Sequence, residues 1–244
     1  MRLLTLGHLV VNALLLCLGY YWLGVGETRA ATLTWSAFLA LVLVCLGSWI
    51  YGASFAYFQS DNRRASAAWR TACRNLWPLA VAVIAVTTIY FLLAWWAGYS
   101  AKPASTFASF LTLKLRKPVK PSSVLRVFNV ALWLIRWVIL PVLLLPMLSA
   151  VAGSGWRGFR SVGTLARKWI YWIEAPLLLL CAFWVPLKIL GWIPEVGGFG
   201  MEVASLAVRA AVAYLLFIAG WLALAFVTSA GKPRLTQSNT AASP

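Results

Sequence analysis

The sequence predicts an all-α integral membrane protein, a bundle of about six transmembrane helices joined by short loops. Three observations predict it. Six apolar runs each reach the ~20 residues that a helix needs to cross a ~30 Å hydrocarbon core. Hydrophobic residues make up 62% of the 244 positions and charged residues 11%, against ~45–50% and ~25% in an average soluble domain. So much apolar side chain cannot be buried while a water-facing surface is kept. Tryptophan, 15 residues in all, gathers near the ends of the runs, where an amphipathic indole settles at head-group level. A β-barrel would need ~10-residue segments alternating apolar and polar, which these runs are not.

The first run, Leu3–Leu23, follows Arg2 and precedes a poor cleavage motif, Thr28-Arg29-Ala30-Ala31. It exceeds the ~7–15 apolar residues of a secretion signal, and bulky Leu16 before Cys17 spoils a lipoprotein box, so it is read as the first span. The second span is Leu33–Phe58 and the third Leu76–Gly98. The fourth, Val124–Ala152, carries Pro141 and Pro146, and the fifth, Trp169–Ile193, carries Pro176 and Pro186. Kinks are expected in both, because proline frees a carbonyl that neighbours or water must satisfy. The sixth is Val203–Val227. Residues 1–230 read as one transmembrane domain, and the polar tail 231–244, poor in apolar residues, reads as disordered. Trp22, Trp77, Trp95, Trp96, Trp169, Trp172 and Trp192 mark the span ends.

Small residues at every fourth position, Ser48/Gly52/Ala56 in the second span and Ala207/Ala211 and Ala219/Ala223 in the sixth, let helix backbones approach closely. They are the expected packing faces, and the place where a membrane-protein partner or a second copy would join. Cys17, Cys45 and Cys181 lie in apolar runs and Cys73 in a basic loop, with no pairing or metal-ligand spacing, so they read as small buried hydrophobes.

The charge balance is +16, from 21 Lys and Arg against 5 acids. The cations fall in short blocks between apolar runs, too small to form a nucleic-acid-binding module. Anionic lipid head groups are the expected partner, at Arg63, Arg64, Arg167 and Lys168 and at Lys114, Arg116, Lys117 and Lys120. With both termini cytoplasmic, inner segments hold eleven cations and outer segments eight, which follows the positive-inside rule by a narrow margin. The third loop, residues 102–126, accounts for six of the eight. Its alternation from Leu111 to Arg116 suggests an extended stretch lying in the interface. Short loops and the absence of N-x-S/T sites suggest a bacterial inner membrane.

No catalytic or metal-binding motif is present and no cofactor is implied; His8 is the single histidine, with only five acids beside it. Within the spans, His8, Asn12, Arg136, Glu174 and Arg209 are the residues most costly to bury. His8 and Glu174 each follow the start of a span by five residues, and the first and fifth spans run the same way. A polar cluster of His8, Asn12, Arg136 and Glu174 is therefore expected, joining the first, fourth and fifth spans, with the carboxylate keeping His8 protonated. Ser122, Arg126, Asn129, Trp133 and Arg136 share one helix face. It suits an interfacial helix or one lining a hydrated groove. Three functions remain open: an accessory or scaffold protein acting through packing and lipid, a small transporter, channel or lipid-handling protein using the polar residues, and, last, an enzyme.

Overall fold

The computed structural model describes residues 1–26, 28–194 and 197–230; the polar tail, Glu27 and Glu195 lie outside them. The described residues form helices and no strand. In chain order these are α1 (Arg2–Leu23), α2 (Ala30–Gln59), α3 (Ala65–Arg74), α4 (Leu76–Tyr99), α5 (Ala101–Leu115), α6 (Pro121–Leu134), α7 (Leu140–Ser154), α8 (Tyr171–Leu179), α9 (Val185–Gly191) and α10 (Phe199–Ala230). Wider π-helical turns, Ile135–Ile139 and Leu180–Trp184, join α6 to α7 and α8 to α9. Among the described residues, six helical stretches are long and apolar enough to cross a membrane; each overlaps one of the six runs, the fourth extending further, over Pro121–Ser161.

Each π turn ends two residues before a proline, Pro141 in one case and Pro186 in the other. Proline has no N–H to give to the preceding turn, and a wider turn is one way a helix passes such a point without breaking. The kinks expected of the fourth and fifth spans thus take the form of register changes.

α2 and α10 form the middle of the bundle, since both supply residues to its two main cores. The larger core includes Phe55, Leu79, Val142, Val151, Tyr171 and Leu224, from α2, α4, α7, α8 and α10. The smaller includes Leu4, Ala56, Tyr57, Ala68 and Ile218, which seats α1 and the short α3 on the same pair. Hydrogen bonds cross-brace one end: Gln59 Nε2 donates to Ser149 O (2.6 Å), Asn75 Nδ2 to Ala152 O (2.9 Å), and Tyr171 Oη lies 3.2 Å from Thr228 Oγ1. This end also carries Met1 and is called the terminal end below.

Gly155 and Gly158 close that end. Gly155 stops α7 at φ +62, a left-handed conformation that glycine adopts without strain. A Cβ on Gly158 would lie 2.3 Å from the Val151 nitrogen, so only glycine allows the 3-10 turn Gly155–Ser161 to fold back on α7.

At the opposite end the third loop departs from expectation. Leu111–Arg116 is not extended: Leu111 to Leu115 belong to α5, a 15-residue helix, and Arg116 caps it in a left-handed conformation. Helix wins because α5 packs antiparallel on α6 around Ala104, Ala108 and Val124, a small core of its own. Thr112 Oγ1 accepts from Val119 N (3.0 Å) and fixes the turn between them.

The cysteines also differ from expectation. Cys17, Cys73 and Cys181 are exposed and Cys45 half-buried. An apolar exterior gives a small hydrophobe no reason to turn inward.

Candidate functional site

The structure joins His8 to Asn12 and both to α2. Asn12 lies one turn beyond His8 on the same face of α1, and His8, Asn12 and Ser54 are all buried. Tyr51 Oη donates to Asn12 Oδ1 (2.5 Å). Asn12 Nδ2 donates to His8 O (2.9 Å) and lies 3.3 Å from His8 Nδ1. His8 Nε2 lies 2.6 Å from Ser54 Oγ, which in turn donates to Ile50 O (3.3 Å). Donors and acceptors close into one directional chain when the ring proton sits on Nε2 and Nδ1 accepts. Nearby, Tyr214 Oη donates to Leu9 O and ties α10 to α1. Such a network locks three helices in azimuth and depth, since each buried polar group away from water needs its partner.

Glu174 and Arg136 stand apart from this chain. Glu174 is half-buried in the first turn of α8, because that helix starts at Tyr171, two residues later than the apolar run suggested. The carboxylate there faces the positive end of the helix dipole, a favourable place for it. Ser54 and Tyr51 fill the role expected of it. The shared depth of His8 and Glu174 in their spans says nothing about which way each face turns.

Arg136 lies nearer the opposite end. From Pro121 to Ser154 the helix is continuous, about 50 Å long at ~1.5 Å per residue, and Arg136 sits eighteen residues from the end at Ser154. Its backbone carbonyl is the one that the N–H of residue 141 would reach in the π register, but residue 141 is proline. Tyr90 Oη donates to that carbonyl instead (2.7 Å). The guanidinium Nε and Nη2 are buried without a hydrogen-bond partner. Ser122, Arg126, Asn129 and Trp133 remain exposed on α6, while Arg136 is half-buried. Arg136 falls in the π turn that follows α6. Arg209 is used differently again: Nη1 donates to the carbonyls of Leu190 (3.3 Å) and Trp192, neutralising the carbonyl-rich end of α9.

All eight cations expected at lipid head groups are exposed. Arg63 and Arg64 lie in the turn after α2, and Arg167 and Lys168 lie just before α8, all at the terminal end. Lys114 is in the last turn of α5, with Arg116, Lys117 and Lys120 in the turn that follows. Between Asn62 and Ile173 the chain has fifteen Lys and Arg and no acid. Trp77, Trp95, Trp96, Trp169 and Trp192 are exposed near the helix ends, where a head-group belt would hold them.

The small-residue ridges part company. Ser48, Gly52 and Ala56 are buried within the chain, so a partner cannot use them. A Cβ on Gly52 would lie 2.7 Å from Leu79 Cδ1 of α4. Ala207, Ala211 and Ala219 of α10 are exposed. No protein family, curated protein or solved structure matches this chain.

Proposed function

We propose that this chain is an accessory or scaffold membrane protein, which acts by holding anionic lipid head groups, and partner subunits, at its two basic ends. The observation that carries the reading is the acid-free stretch of fifteen cations, eleven of which lie outside the six candidate spans while Arg126, Arg136, Arg157 and Arg160 fall within the fourth. Each basic residue near an anionic surface contributes about 1 kcal/mol. The in-span polar groups of α1 and α2 support it too, since they bond one another rather than stand ready for a solute. A bacterial inner membrane with both termini cytoplasmic fits the charge count and the short loops.

The test is extraction from the native membrane in polymer-bounded discs, with lipids and co-extracted proteins quantified. Anionic lipid should be enriched over the bulk membrane, and a membrane protein should co-extract in fixed ratio. Bulk lipid composition and no fixed partner would remove the reading.

Arg136 supports a second reading, a small transporter or lipid-handling protein, because two of its nitrogens are buried and unpartnered. Solute or lipid flux in proteoliposomes that Arg136→Gln abolishes would favour it.

A further inference from the structure

A groove runs between α1 and α10 at the terminal end, with a volume of about 640 Å³, within the ~300–1,000 Å³ that ligand sites span. Its walls are apolar, among them Leu9, Phe58, Ile218 and Phe226. Ala219 and Ala223, with little side chain to fill it, keep it open. From Leu215 to Phe226 the groove follows α10 for about 16 Å at ~1.5 Å per residue, a length suited to an acyl chain. The Tyr214–Leu9 hydrogen bond crosses between the helices just beyond its inner limit.

The mouth is cationic. Arg63 lines it, beside Met1 and Thr5. Arg63 adopts φ +42, a left-handed conformation uncommon for a residue with a side chain, and its guanidinium has no hydrogen-bond or ion-pair partner among the described residues. Asp61, in the same turn, is exposed and does not pair with it.

We propose that this groove is a binding site for one anionic phospholipid, with an acyl chain along Ala219 and Ala223 and the phosphate against Arg63. The proposal rests on the anionic-lipid reading above and narrows it to one place. An anionic head group neutralises the mouth. A second copy of this chain would bring its own cations there and leave charge uncompensated.

The test uses the purified full-length protein, delipidated in detergent, then mixed with equal phosphatidylglycerol and phosphatidylcholine of matched chains and weighed by native mass spectrometry. Wild type should retain one phosphatidylglycerol through a wash that strips the rest. Ala219→Phe should lose it, with Ala219→Leu as the milder variant if Phe prevents folding. Arg63→Gln should lower the phosphatidylglycerol preference about fivefold, the ratio for ~1 kcal/mol, and Arg70→Gln, exposed at the same end but off the groove, should not. Retention unchanged in Ala219→Phe and Ala219→Leu overturns the site, even if the total phosphatidylglycerol count stays high and the broader reading survives. A change of oligomeric state in those variants overturns it in favour of a second copy. No phosphatidylglycerol preference in wild type overturns both.

Discussion

Gly158 carries the sharpest steric demand in the chain. A Cβ there would approach backbone atoms of Ala150 and Val151 at 2.5 and 2.3 Å, and backbone cannot swing aside as a side-chain tip can. Gly158→Ala should therefore destabilise the protein by about 1–3 kcal/mol, the range for forced overpacking, lowering the thermal midpoint in detergent. Gly19→Ala, with nothing within 4 Å of the added methyl, should leave it level or slightly raised. Equal midpoints for the two variants would contradict the packing described. The residue scale is also where the sequence was half legible. His8 and Asn12 announce themselves as costly groups one helical turn apart. Their partners Tyr51 and Ser54 do not, because a hydroxyl in an apolar helix reads like any other small or interfacial residue. Glu174 does not join them, because counting residues gives a position along a span, whereas azimuth follows only from packing.

At the scale of elements, the spans were legible because bilayer thickness translates into a length of apolar chain. The register changes inside them were not. Pro141 and Pro186 signal a disturbance, yet only packing decides whether the answer is a kink or a π turn. Tyr90 completes one such answer by donating to the Arg136 carbonyl that Pro141 leaves free. Tyr90→Phe should cost about 0.6–1.7 kcal/mol, the average and the maximum measured for hydrogen bonds between membrane helices. In a Pro141→Ala background residue 141 regains an N–H for that carbonyl, so the same substitution should cost less. A double-mutant cycle on thermal or denaturant stability gives the coupling; equal costs in both backgrounds would show that Tyr90 does not compensate the proline. The α5–α6 hairpin was the least legible element, because its alternation of apolar and basic residues suits a strand locally. The small core around Ala104, Ala108 and Val124 overrides it.

At the scale of the molecule, the six helices put the α5–α6 turn and the terminal end at opposite ends of the bundle, each with exposed cations. The positive-inside count looked weak because this hairpin holds six of the cations charged to the outside. α5 packs on α6 around a small core of its own, and α6 runs on into the fourth span. The most direct measurement of this six-span arrangement is labelling by a membrane-impermeant maleimide, before and after the membrane is permeabilised. It needs two single-cysteine chains, one keeping exposed Cys73 of α3, the other carrying Lys120→Cys in the hairpin turn. The two should be labelled from opposite sides of the membrane. Labelling from the same side would contradict the arrangement.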